Sequence, residues 1–64
     1  MVGPTTDEAE IRRLAAEHVR MQGPEAVAWL LERAELAGAS GDAEAAKTWR
    51  EIAAAASGMI RGRG

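Results

Sequence analysis

Apolar residues recur every three or four positions along most of the chain, which is the spacing of one face of an α-helix. The last such series has a regular 4-3-4-3 spacing and consists of Ala45, Trp49, Ile52, Ala56 and Met59. No segment alternates apolar and polar residues as a half-buried strand would. The pattern therefore predicts an all-α protein.

Capping and turn residues divide this pattern into three predicted helices. Thr5 and Glu8 have the spacing of a capping box. Gly23 and Pro24 would end the first helix and begin the second, and Asp42 is a good N-cap for the third. Both links are short, which favours antiparallel neighbours. We expect three antiparallel helices at about 6–22, 24–38 and 42–60.

Each predicted helix has an apolar face that can contribute to one shared core. His18 lies near the middle of this face in the first helix, and Trp49 lies near its middle in the third. The residues predicted for the core are Ile11, Leu14, His18, Val27, Leu31, Trp49, Ile52 and Met59.

The second helix is apolar around well over half of its circumference. Trp29 and Leu36 lie more than about 100° from the middle of the face that Val27 and Leu31 help to form. Trp29 can be wedged between the first and third helices, since the middle helix of three can touch both others. Alternatively it anchors a contact with a second subunit, a role in which Trp is enriched. Arg33, which lies between Trp29 and Leu36, is suited to the rim of such a contact.

The size and composition of the chain favour self-association. A chain of 64 residues is at most one domain, and its core rarely contributes more than about 3–5 kcal/mol. Without cysteine it has no disulfide, and a single histidine is too little for a zinc site. We expect one domain over 1–64, with a flexible leader at 1–4 and a frayed tail at 61–64, that forms a homodimer or larger homo-oligomer. The predicted interface residues are Trp29, Leu30, Arg33 and Leu36.

His18 is the one candidate for chemistry, and two interpretations apply to it. It is a buried pH sensor or catalytic base, or it is a core histidine bonded to a backbone carbonyl or a Trp N–H. Catalysis would need a nucleophile or carboxylate on the same face, and the first helix offers none there. Metal-binding motifs, phosphate-binding loops and nucleophile elbows are absent from the sequence. We expect no enzymatic activity, no cofactor and no metal.

The charge balance gives little indication of a nucleic-acid or membrane partner. The net charge is −2 at pH 7, and no apolar run has the length of a membrane span, so we expect a cytoplasmic protein. The segment 34–38 resembles the start of a helix-turn-helix, but Glu44 occupies a position that is usually apolar. An alternative function is a nucleic-acid-binding accessory protein that uses its basic C-terminal end. Its possible contacts are Arg50, Arg61 and Arg63.

Four short motifs resemble a known group of proteins. They are Gly23-Pro24-Glu25-Ala26, Glu32-Arg33-Ala34, Ala39-Ser40-Gly41-Asp42 and Trp49-Arg50-Glu51-Ile52-Ala53. The chain is similar, over roughly residues 7–60, to short uncharacterised all-helical proteins of alphaproteobacteria with a Gly-Asp turn before a Trp-Arg/Lys-x-Ile helix. The resemblance implies a small bacterial cytoplasmic protein and no active-site residues. Our leading hypothesis is a small non-enzymatic protein-interaction or regulatory module that binds itself and another protein.

Overall fold

The computed structural model describes residues 7–62, and this part of the chain folds into three helices without any strand. The helices are α1 (Glu8–Gln22), α2 (Glu25–Ala39) and α3 (Ala43–Gly62). They pack against one another, which confirms the predicted all-α class. The predicted leader at 1–4 and the candidate contact Arg63 lie outside the described residues.

The start of α1 differs from the prediction. The helix begins at Glu8 rather than near residue 6, and its N-cap is Asp7. The Asp7 carboxylate accepts a hydrogen bond of 2.9 Å from the Glu10 backbone N–H. Asp is preferred over Thr at an N-cap, and Asp7 and Glu10 have the same capping-box spacing that Thr5 and Glu8 have. Thr5 itself lies outside the described residues.

The link between α1 and α2 is formed by the predicted pair Gly23 and Pro24. Gly23 has a φ of +68°, which side-chain-bearing residues rarely adopt, and its N–H donates to the Val19 carbonyl at 2.7 Å. Pro24 already has helical dihedral angles (φ −62°, ψ −18°), so it leads directly into α2. The predicted break between the first two helices is confirmed.

The link between α2 and α3 is a Schellman turn that leads into an N-cap. Gly41, at φ +86°, donates its N–H to the Gly38 carbonyl at 3.0 Å, and the Asp42 N–H donates to the Ala37 carbonyl at 2.9 Å. The Asp42 side chain then accepts a 3.1 Å hydrogen bond from the Ala45 N–H. The predicted N-cap of the third helix is therefore confirmed.

The end of α3 lies beyond its predicted position. The helix continues to Gly62, two residues past the predicted end near residue 60, and residues 63–64 of the predicted tail lie outside the described residues. Met59 packs against the core near this end, and Ile60 is half-buried. Tertiary packing thus supports the last turns despite the low helix propensity of Gly58.

The buried core is built mainly from alanine. Its members are Ile11, Ala15, Ala26, Leu30, Ala34, Ala46, Ile52, Ala53 and Ala56. Ile11 and Ile52 were predicted for the core, and both are buried. Five other residues predicted for the core are only partly buried: Leu14, His18, Val27, Trp49 and Met59.

Two neighbouring leucines of α2 have exchanged their predicted places. Leu30, predicted for an interface, is fully buried, whereas Leu31, predicted for the core, is 46% exposed. α2 turns a stripe of Ala26, Leu30 and Ala34 to the core. This orientation differs by roughly 80° from the one that Val27 and Leu31 suggest. Alanine in this stripe allows the neighbouring helix to approach more closely than large side chains would.

α3, and not α2, is the helix with two extensive neighbours. It packs against both α1 and α2, while the contact between α1 and α2 is the smallest of the three. The Cα atoms span 34 × 31 × 16 Å, and the shortest dimension has room for only about two layers of helix. As a result, α2 is covered mainly by α3, and apolar side chains stay exposed on both of its flanks, Trp29 and Leu36 on one and Leu31 on the other.

Candidate functional site

One flank of α2 carries two of the four large apolar side chains that are exposed in the described part of the chain. Trp29 is 36% exposed and Leu36 is 56% exposed. They are seven residues apart and so lie on the same side of the helix, with the exposed side chain of Arg33 between them. We call Trp29, Arg33 and Leu36 the Trp29 surface. Large apolar side chains exposed on one side of a helix make this surface a candidate interaction site.

Trp29 is held in place by contacts from all three helices. The His18 ring of α1 stacks on it, with 5.2 Å between ring centroids and 28° between ring planes. Trp49 of α3 approaches it edge-on, at 6.0 Å and 80°. The guanidinium carbon of Arg33 lies 5.2 Å from the centroid of the Trp29 ring, in a cation–π contact.

These contacts answer the question that the sequence left open. Trp29 contacts both α1 and α3, as a wedged residue would, and it also keeps about a third of its surface exposed. A side chain that is already fixed loses little conformational freedom when a partner binds. Trp29 is therefore a partly exposed side chain whose position is already fixed within the subunit.

The His18 ring is itself held by a hydrogen bond while it stacks on Trp29. Its Nδ1 lies 2.9 Å from the Leu14 carbonyl oxygen. A carbonyl oxygen can only accept a hydrogen bond, so Nδ1 is the donor and carries a proton. This hydrogen bond is the one expected of a structural histidine, and it fixes the plane of the ring that stacks on Trp29. His18 is half-buried rather than fully enclosed in the core.

The charges beside the Trp29 surface are separated by sign. At 100° per residue, Arg33 lies roughly 50° from the line through Trp29 and Leu36, on the side that faces the core. Glu32 lies roughly 50° from that line on the opposite side. Glu25 and Glu35 also lie on the Glu32 side, and all three carboxylates are exposed. One edge of the surface is therefore cationic and the other is anionic.

The basic residues of α3 do not form a dense patch with the Trp29 surface. Arg50 and Arg61 are both exposed. They lie within about 20° of each other around the helix but about 16 Å apart along it. Glu51 directly follows Arg50 in the sequence. No cluster in the described residues favours nucleic-acid binding, and that alternative remains a prediction.

A groove between α1 and α3 was not predicted from the sequence. It has a volume of about 700 Å³ and lies beside Ile11 and Met59. The α3 side is low because Ala54, Ala55 and Gly58 have little or no side chain there. The sequence shows these three small residues, but alanine is so common in helices that they did not indicate a groove. The rest of the lining is Glu8, Arg12 and Glu51.

Comparison of the chain with models of known protein families, with curated protein sequences and with solved structures finds no match. The resemblance to alphaproteobacterial helical proteins therefore remains an expectation from short motifs.

Residues 7–62 also bear on metal binding and on membrane crossing. No group of three or more His, Cys, Asp or Glu side chains in this range is arranged to hold a metal ion. None of the three helices combines the length and the apolar character needed to cross a membrane. The Trp29 surface is the site that the geometry supports best.

Proposed function

We propose that this protein is a small non-enzymatic protein-interaction module that forms a homodimer through the Trp29 surface. The single observation that carries the proposal is Trp29 itself, fixed by contacts from three helices and yet 36% exposed beside Leu36. Pre-ordered aromatic and arginine side chains at the centre of a contact are the residues that contribute most to binding.

The packing of the subunit supports the same proposal. α2 has one extensive neighbour, α3, and a smaller contact with α1, which leaves Trp29 and Leu36 partly exposed. A second copy would bury Trp29 and Leu36 and add apolar burial that a core made mostly of alanine lacks. An isologous two-fold contact is the commonest way to achieve this.

Further parts of the proposal follow from the sequence. The two links, of two and three residues, favour antiparallel order for neighbouring helices within the subunit. A cytoplasmic location and a second, heterologous protein partner complete the proposed function. A small bacterial protein of the kind that the short motifs resemble fits this role.

Sedimentation equilibrium over a range of protein concentrations tests the self-association. We expect a monomer–dimer equilibrium for the wild type and a loss of about 2 kcal/mol or more in association for Trp29→Ala. Leu31→Ala is the matched control, because Leu31 is also an exposed apolar residue of α2 but lies on the other flank. A concentration-independent monomer mass for the wild type would overturn the proposal, as would equal effects of the two substitutions.

A further inference from the structure

We infer that the homodimer pairs α2 with α2 of the second copy in parallel orientation, with Arg33 of each copy opposite Glu32 of the other. This inference rests on the proposed function and specifies the partner and its orientation at the same surface. Its basis is the separation of charge across the Trp29 surface, where Arg33 lies on one edge and Glu32 on the other.

The two possible symmetries bring different edges together. In a parallel pair the two-fold axis runs along the helices, so the Arg33 edge of one copy faces the Glu32 edge of the other. In an antiparallel pair the two-fold axis is perpendicular to the helices, so each edge faces its own equivalent. Arg33 would then face Arg33 and Glu32 would face Glu32, with repulsion on both edges.

In the antiparallel pair, no carboxylate of α2 would lie on the Arg33 edge to offset the repulsion between the two Arg33 side chains. The three glutamates of the helix, Glu25, Glu32 and Glu35, all lie on the Glu32 edge. On the Arg33 edge, α2 continues into the buried residues Ala26 and Leu30. Charge complementarity therefore favours the parallel pair, in which two equivalent Arg33–Glu32 contacts form.

Arg33 is prepared for this contact by Trp29. Its guanidinium group lies over the indole ring, with 5.2 Å between the guanidinium carbon and the ring centroid. A guanidinium group in a cation–π contact still has N–H groups free to donate to a carboxylate. Trp29 thus provides apolar contact area and also restricts the positions that the Arg33 side chain can adopt.

A disulfide experiment tests the orientation directly, because the chain has no native cysteine. Leu36 lies close to the proposed two-fold axis. In a parallel pair its two Cα atoms would be about 4–6 Å apart, which a disulfide can bridge. In an antiparallel pair centred between Trp29 and Leu36, they would be offset by about 10 Å along the helices.

We expect Leu36→Cys to form a disulfide-linked dimer under mild oxidation, with a yield that rises with protein concentration in the dimer range. Leu31→Cys is the control on the opposite flank and should remain largely unlinked. A Leu36→Cys chain that sediments as a dimer but does not become linked under oxidation would show that the two Leu36 positions lie apart and would overturn the inference.

Charge reversal gives an independent test. Arg33→Glu should weaken association by about tenfold in a parallel pair, because it places like charges opposite each other twice. The double variant Arg33→Glu, Glu32→Arg restores opposite charges and should recover most of the lost affinity. In an antiparallel pair, neither variant would change the like-charge contacts, so unchanged association in both would overturn the inference.

The inference and the proposed function fail in different ways. Self-association that Trp29→Ala abolishes but that shows no Leu36→Cys linkage and no response to charge reversal would retain the proposed function and overturn the parallel pair. Monomers at every concentration would overturn both.

Discussion

Trp29 and Trp49 contact each other edge-on, but they have different surroundings. Trp49 belongs to α3, which has an extensive neighbour on two sides, and it packs against the core. Trp29 belongs to α2, which has one extensive neighbour, and it remains 36% exposed. Both helices are rich in apolar residues. The exposure of each tryptophan therefore depends on how many neighbouring helices cover the helix to which it belongs.

The two tryptophans are also expected to contribute to different properties, one to the stability of the subunit and the other to binding. A tryptophan that packs on Ile52 and the core alanines contributes mainly to the stability of the subunit. On the function proposed above, a tryptophan that is fixed but partly exposed contributes mainly to binding. Substitutions at the two positions should therefore affect different measurements.

The largest effect is expected for Trp49→Ala. It removes a large side chain between α2 and α3, and the expected loss of unfolding free energy is about 3 kcal/mol or more. Because a domain of this size rarely has more than about 3–5 kcal/mol in total, the variant should be largely unfolded. Far-UV circular dichroism with urea titration, at concentrations where the wild type is monomeric, measures this loss.

Trp29→Ala is the control in the same experiment. Under monomeric conditions it should lower the unfolding free energy by only about 1 kcal/mol, because part of its surface is already exposed. Equal losses for the two substitutions would show that Trp29 is a core residue like Trp49.

Leu30 and Leu31 provide a second test of the orientation of α2. Leu30→Ala should lower the unfolding free energy by about 2–4 kcal/mol, because it leaves a cavity among Ile52, Ala53 and Ala56. Leu31→Ala should change it by less than about 1 kcal/mol, since Leu31 is 46% exposed. If Leu31→Ala were the more destabilising change, α2 would face the core with its other flank, and the Trp29 surface would have to be reassigned.

His18→Ala should have a small effect on stability, about 1 kcal/mol, from loss of the ring stacked on Trp29. Its main consequence is a more mobile Trp29. In a Trp49→Phe background Trp29 is the only tryptophan, and acrylamide should quench its fluorescence more strongly after the His18 substitution. Met21→Ala, an exposed position one turn further along α1, should leave the quenching unchanged. Equal quenching in both variants would show that His18 does not hold the ring.

Local sequence was sufficient to predict the helices and the turns between them. Gly23 and Gly41 adopt positive φ, and Asp42 caps α3, for reasons that depend only on neighbouring residues. The apolar spacing likewise identified Ile11 and Ile52 as core residues. It also placed Trp29, Arg33 and Leu36 on one side of α2, because residues three, four and seven apart share a helix face whatever surrounds the helix.

Only the tertiary structure decided which helix is central and how α2 is rotated. Side-chain volume suggested that Leu31 would enter the core, but Ala26 and Ala34 face it with Leu30 instead. Alanine carries almost no signal in an amphipathic pattern, and yet it sets how closely two helices can pack. The contacts of Trp29 with His18 and Trp49 join residues from three helices. The residue spacing along one helix cannot predict such contacts, because they depend on how the three helices are positioned and rotated relative to one another.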